Sequence, residues 1–426
     1  MEKLRLCTFA VPLSGNKGSA SMALGLMDNF RKEGVSAEFL VFSYYPQRDR
    51  LIAEGLEGVE VFPGHPKDLF LKILPAVLVH KVGIPLPRGA ISRAVLGLAD
   101  ADGVLLMGGT TFTDSMLYKV PWNVLAAIPA LFLRKPVVFL SQTLGPFARA
   151  LNRLSARWTL RKAREVHGRG RKSVEEVNSL GLSNVRYEPD LSFPMMVPAF
   201  APHEMGRDRF ELLGRLLEDA RGIPIGVAPN SILLKKCKAI GLDYTGLIEK
   251  IIRILWELQC QPILIAHSFR PGTSQQHNND HHICRELMER LQGEVGLRYA
   301  EADLNPRELR SFIGQMELLI ACRFHSMVSA LSQGIPPLTF GWGGQKYIEV
   351  LDEFGLESLY HSFHELKNLD LRRVIEQSLE QRHQTKESIS CHLPQVIAHA
   401  GKLPHRLQGL LKGDPGSCGA VETRYS

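Results

Sequence analysis

The stretch from Leu318 to Lys346 leaves the chain little choice of fold. A short apolar run over 318–321 stops abruptly at Arg323, His325 and Ser326; a small-residue helix over 327–333, Gly334-Ile335-Pro336 and a second apolar run from Pro337 follow. Such an order reads as strand, helix, strand. A strand that ends in ionisable residues opposite a helix start is where open α/β sheets hold ligands. Arg323 offers forked donors suited to a phosphate or carboxylate, and His325 exchanges protons near neutral pH. A solvated turn carrying an Arg and a His is the plainer alternative.

The same order recurs along the chain. In the first half, strands are expected over 4–11, 37–42, 59–62, 103–107, 136–141 and 165–168, with a helical segment over 122–132 broken at Pro129 and a segment over 185–189 that leads into Asp190. In the second half, strands are expected over 223–228, 261–266, 297–300, 318–321 and 337–340, with a strong helix over 244–258. This alternation is that of parallel sheets covered by helices. The length of 426 residues exceeds one ordinary core. The irregular stretch after Met195 divides it into a Rossmann-like domain over 1–195, a linker over 196–220, a second Rossmann-like domain over 221–412 and a tail over 413–426 expected to be disordered.

Composition excludes several classes. Seven scattered cysteines without a CxxC pair argue against a disulfide framework and a zinc knuckle. The chain opens without a secretory signal, and its longest apolar stretch, 124–133, is too short to span a bilayer, so a cytoplasmic protein is expected. The net charge of +7 suits an anionic partner. Its densest basic run, Arg149 to Lys172, has helical spacing and no aromatic interleaving, which favours a solvated helix face over nucleic-acid binding. The segment 68–81 is apolar with basic flanks. A buried helix is the first reading and contact with the inner face of a membrane the second.

Polar or glycine-rich loops follow the strands. Gly15-Asn16-Lys17-Gly18 can expose backbone N–H groups to an anion, but it matches neither GxGxxG nor GxxxxGK[ST], and a plain tight turn reads almost as well. Gly108-Gly109 lets a ligand approach, with Asp114 as a base or as a helix cap. Gln142, with Gly145-Pro146-Phe147, shapes a wall. His267 ends a strand. A metal site from His277, Asp280, His281 and His282 is weakly supported, because nothing fixes three ligands in one geometry.

Taken in order, these loops resemble the polysaccharide pyruvyl transferase family over about residues 7–350. The resemblance rests on Gly15, Asn16 and Gly18; on Gly108, Gly109, Phe112 and Asp114; on Gln142-Thr143-Leu144-Gly145-Pro146-Phe147; on Arg169 with Ser173; on Pro189-Asp190; on His267 with Asp280; and on Arg323, His325 and Ser326. Gly170 stands where the family has an acid. Trp342 replaces a Tyr, with Lys346 one position further on than in the family.

The resemblance implies two Rossmann-like domains facing each other across a cleft, the glycosyltransferase B-type architecture. It implies transfer of a pyruvyl group from phosphoenolpyruvate onto sugar hydroxyls of a cell-surface polysaccharide or its lipid-linked precursor. Arg169, Arg323, Lys346 and Ser326 would bind the donor. His325 would act as general acid and base, and Asp114 or His267 would take a hydroxyl proton. Gly15, Asn16, Gly18, Gly108, Gly109 and Gln142 would line the acceptor or phosphate. Neither metal nor cofactor is required. A nucleotide-sugar glycosyltransferase, with Glu349 or Asp352 on a ribose, and an inactive sugar-binding relative are the alternatives.

Overall fold

The computed structural model describes residues 3–9, 11–218, 222–270, 278–366 and 368–413. The chain folds as two compact units. Of the described residues, one comprises 3–9, 11–14, 22–195 and 398–413; the other comprises 15–21, 196–218, 222–270, 278–366 and 368–397.

The first unit holds a seven-stranded sheet: β1 (Leu4–Phe9), β2 (Ala37–Ser43), β3 (Val59–Pro63), β4 (Gly103–Leu106), β5 (Val137–Gln142), β6 (Glu165–Gly168) and β7 (Val185–Tyr187). They lie in the order β3-β2-β1-β4-β5-β6-β7, all parallel. Alternate residues of each strand enter opposite cores, as the period of two requires. Cys7, Phe9, Leu40, Phe42 and Phe139 enter one core. Leu4, Leu6, Phe39, Val41 and Val138 enter the other. Phe9 and Phe42 stack across neighbouring strands with centroids 4.2 Å apart.

Both faces being covered, these strands read as near-continuous apolar runs rather than as alternation. The final helix, Leu403–Lys412, belongs to this unit and not to the second half from which the chain reaches it, because Leu403 and Leu407 complete the second core.

The second unit carries β8 (Pro224–Ala228), β9 (Gln261–Leu264), β10 (Arg298–Tyr299), β11 (Leu318–Ala321), β12 (Pro337–Gly341) and β13 (Tyr360–Ser362), ordered β10-β9-β8-β11-β12-β13 and parallel throughout. This is the doubly wound order, with the direction of winding reversing between β8 and β11. Helix Tyr244–Glu257 packs Ile248, Ile251, Ile252 and Leu255 into its core.

Several details differ from the sequence expectation, among them the helix expected over 327–333, which runs over Phe324–Leu331. Helix Val120–Phe132 runs through Pro129 instead of breaking there. A proline removes one backbone donor, and the helix continues past it to a C-cap at which Leu133 N–H donates to the Pro129 carbonyl at 3.2 Å, while Ala127, Pro129 and Ala130 stay buried. Strand β1 ends at Phe9 rather than Val11. Strand β13 has no counterpart in the expectation: its three residues are polar or aromatic and half-exposed at a sheet edge, so no apolar run marks it. The tail beyond Gly413 lies outside the described residues.

Candidate active site

In the second unit, the loops after β8, β9 and β11 converge on one carboxylate. Asp280, fully buried, accepts N–H bonds from Ser231 and Ser268, both at 2.9 Å. Arg323 grips both of its oxygens, Nε to Oδ2 and Nη2 to Oδ1, each at 2.5 Å. Arg323 also donates to Asn278 Oδ1 at 2.9 Å and Ser231 Oγ at 3.3 Å. Four of the five N–H groups of a guanidinium are thereby engaged within the protein. Arg323 therefore ties three loops together, whatever else it touches. Ser326, expected on the donor, is buried at the third position of helix Phe324–Leu331 and caps the start of that same helix: its hydroxyl donates to the Arg323 carbonyl at 2.8 Å and accepts the Arg323 N–H at 3.3 Å.

The glycine-bearing loop 15–21 is part of this same unit. Gly15 adopts φ 78°, a left-handed conformation that favours glycine. Asn16 forms an antiparallel bridge with Ser268, and its Oδ1 accepts the Gly18 N–H at 3.1 Å. Lys17, 6% exposed, places Nζ 2.5 Å from Asp303 Oδ1. Gly18 lies against the imidazole of His325, and a Cβ there would fall 2.3 Å from Cγ and from Nδ1 of that ring. The glycine is required by close approach, and His325 is held against the loop.

His267 lies three residues beyond the end of β9, is 1% exposed, and its Nε2 is 3.3 Å from Ser329 Oγ. Burial drives its pKa well below the ordinary histidine value, and the positive fields of His325, Arg323, Arg310 and Lys17 add to this. The imidazole is neutral at physiological pH, within a locally positive field. Lys346, on helix Gln345–Asp352, is half-buried with Nζ 5.8 Å from the Phe324 ring centroid and 5.0 Å from that of Tyr347. Trp342 packs against His364 with centroids 4.4 Å apart.

The first unit builds a second polar edge after β4, β5 and β6. Arg169, 1% exposed, donates to the Gly109 carbonyl at 2.8 Å and to the Ser141 carbonyl at 3.2 and 3.3 Å, with Asp190 Oδ2 3.3 Å from its Nη1. It holds the Gly108-Gly109 loop and the end of β5 in place. Gln142, also buried, donates to the Leu106 carbonyl at 2.6 Å and accepts from Thr111. Gly109, Phe112 and Ser141 all have positive φ, at 66°, 44° and 43°. Backbone outliers of this kind cluster at functional loops. The Ser141 and Thr143 hydroxyls here are buried without a hydrogen-bond partner.

Asp114 accepts the N–H groups of Ala148 and Arg149 at 2.8 and 3.1 Å, and Asn152 Nδ2 at 3.0 Å. It secures the approach to helix Ala150–Arg161 and not the start of the helix that follows Asp114 in the chain, where the cap was expected. Gly170 begins helix Arg171–Ser179.

Asp303 and Arg310 carried no signal beyond being charged residues in loops or helices, Lys17 was legible only as part of the Gly15–Gly18 turn, and only folding brings Lys17 and Arg310 near His267. Among the described residues, no three His, Cys, Asp or Glu side chains gather as a metal site. His281 Nδ1 lies 2.7 Å from the Tyr299 hydroxyl, and His277 lies outside the described residues. No described helix is long and apolar enough to cross a membrane.

Two Rossmann-like domains, each with polar loops at the carboxyl ends of its strands, define the glycosyltransferase B fold class. Solved structures of that shape cover nearly the whole chain. A putative UDP-N-acetylglucosamine 2-epimerase from Listeria monocytogenes superposes with TM-score 0.58 at 13% identity, covering 97% of this chain and 96% of its own. An α,α-trehalose-phosphate synthase from Burkholderia vietnamiensis does so with TM-score 0.53 at 11% identity, covering 97% and 100%. Identities this low speak for the fold alone.

The chain belongs to the polysaccharide pyruvyl transferase family, whose model matches residues 16–344. The match begins at the Asn16 loop and ends just after Trp342. The amylovoran biosynthesis protein AmsJ of Erwinia amylovora is 20% identical over 359 residues, 81% of this chain and 85% of its own length.

Proposed function

We propose that this member of the family transfers the pyruvyl group of phosphoenolpyruvate to two hydroxyls of a glycan, releasing inorganic phosphate and leaving a cyclic ketal. The observation that carries this reading is the joining of the β8, β9 and β11 loops through Arg323 and Asp280, with the His325 ring held against Gly18 at the carboxyl end of the second sheet. Arg323, Arg310 and Lys17 lie around it against two carboxylates, Asp280 and Asp303, an excess of cations that suits a donor with a phosphate and a carboxylate.

His325 delivers a proton to the methylene carbon of the enol, which makes the adjacent carbon electrophilic. One sugar hydroxyl attacks that carbon and gives up its proton. The carbon–oxygen bond to phosphate breaks, phosphate leaves, and the second hydroxyl closes the ring with loss of its proton. Neutral His267, in surroundings that oppose its protonation, is suited to orient a hydroxyl, while one hydroxyl proton returns to His325 and the other leaves with the phosphate. The charge of Lys17 favours the departing phosphate. Arg323 and Arg169 act here as positioning residues, through Asp280 and through the Gly109 and Ser141 carbonyls, with Lys346 as a further cation on the donor side.

The test is a turnover assay of purified protein with phosphoenolpyruvate and lipid-linked or free glycans. Release of phosphate that depends on the glycan, with a mass gain on the glycan, is expected. Release of a nucleoside diphosphate from a nucleotide sugar instead would assign the chain to glycosyl transfer, and no turnover of either donor would leave a sugar-binding protein.

A further inference from the structure

The helices that cover one face of the first sheet bury apolar residues beneath and expose apolar residues above. In the segment 69–81, Leu69, Ile73 and Val77 enter the core, while Phe70 and Leu71 stand 58% and 65% exposed. This segment packs against helix Val120–Phe132, which packs against helix Ala150–Arg161. Trp122 on the second helix is 47% exposed, and Leu151, Leu154 and Trp158 on the third are 62%, 64% and 49% exposed. Spaced at i, i+3 and i+7, these last three form one outward stripe, opposite the buried Ala156 and Leu160. An outward apolar stripe on a helix already anchored by its other face needs a partner.

The charges around the stripe say what that partner is. Residues 66–164 hold 14 Lys and Arg against 4 Asp and Glu, so this segment carries more than the whole net charge of +7 and the remainder of the chain is slightly acidic. Helix Ala150–Arg161 contains no acidic residue, and exposed Arg153, Arg157 and Arg161 flank its apolar stripe. Other surface helices neutralise arginines with a carboxylate one turn away, as in Arg171–Glu175, Arg207–Glu211 and Arg290–Glu286. Lys162 Nζ sits 5.0 Å from the Trp158 ring centroid, and Lys81 Nζ 5.4 Å from that of Phe132, which places ammonium groups beside the exposed rings.

We propose that this face of the first domain docks on the surface of an anionic lipid bilayer, with the apolar residues entering the headgroup boundary and the arginines on lipid phosphates. Helices Val120–Phe132 and Ala150–Arg161 begin just after the β4 and β5 loops. Docking therefore brings the membrane beside the Gly108-Gly109 and Gln142 loops, where a lipid-anchored acceptor would be presented. Docking of this kind stands on surface chemistry and is independent of the identity of the donor.

Sedimentation of the full chain with vesicles tests it. The protein should pellet with vesicles of phosphatidylcholine and phosphatidylglycerol, and remain in solution with phosphatidylcholine alone. Leu151→Glu combined with Leu154→Glu should weaken pelleting about tenfold or more, as should Arg153→Glu combined with Arg157→Glu, with unchanged circular dichroism. Brominated lipid should quench the fluorescence of wild-type Trp122 and Trp158, a reading that needs no variant. Failure to pellet with anionic vesicles, equal pelleting of the variants, or a wild-type dimer dissociated by the leucine substitutions would each overturn the proposal.

Discussion

Arg323 and Asp280 form a buried fork, two hydrogen bonds of 2.5 Å between groups 7% and 0% exposed. Losing one partner strands a buried charge, which costs about 3–5 kcal/mol. Arg323→Lys keeps the charge but loses the planar fork. It should lower the denaturation midpoint and abolish turnover, because the β8, β9 and β11 loops lose their common tie. Arg323→Met with Asp280→Leu should recover stability relative to either single change while remaining inactive. A double-mutant cycle by denaturant unfolding measures this, and additive single effects would remove the coupling.

Gly18 leaves no room for a side chain beneath His325. Gly18→Ala places a Cβ 2.3 Å from that ring and should cost about 1–3 kcal/mol through overpacking. Turnover should fall with it. Combining it with His325→Ala should restore stability but not turnover, which steady-state kinetics and thermal melting distinguish.

His325→Gln removes the proposed acid from a half-buried side chain and, being of similar reach, opens no large cavity. Phosphate release from phosphoenolpyruvate should drop by about 10²–10⁴, with a nearly unchanged melting temperature. Turnover close to wild type would remove His325 from the chemistry.

Asp114 binds two N–H groups at the entry of helix Ala150–Arg161. Asp114→Ala should cost about 1 kcal/mol of stability and leave kcat largely intact once the protein is folded. A collapse of kcat at full folding would instead assign the carboxylate to the reaction.

His167 is buried beside Glu165, whose Oε2 lies 2.7 Å from its Nε2, in a cluster with Arg186, Arg406 and Glu188. Burial holds its pKa down at about 4, against about 6.5 in an unfolded chain. As pH falls below about 6.5 the unfolded state takes up a proton that the folded state refuses, so the contribution of His167 to stability is present above that pH and is lost down to about pH 4. Burial raises Glu188 to about 7, which acts in the opposite sense over part of this window. The readout is therefore the difference between wild type and His167→Gln: the variant should lack a pH-dependent stability on the order of 3 kcal/mol across that range.

The strand ends show how far the sequence could be read. Val104, Ile225 and Ile320 lie in apolar runs whose length and flanking polar residues are local properties, so the strands and the loops after them were legible. So was the joint order of Asn16, Asp114, Gln142, Asp190, His267 and Arg323 as a family pattern. Strand β13 was not legible, since Tyr360–Ser362 pairs at an edge without an apolar run. The continuity of helix Val120–Phe132 was hidden because the packing that carries Pro129 is tertiary.

By itself, then, the sequence determined two parallel α/β domains and the polar loops that follow their strands, because periodicity and punctuation depend on neighbours in the chain. What each charged side chain does was decided by the tertiary structure. Arg169 turns inward onto backbone carbonyls, Arg323 clasps Asp280, and Lys17 meets Asp303 across 286 residues of chain. Long side chains reach several partners at similar cost, and only the packed fold fixes which one removes the penalty of burying their charge.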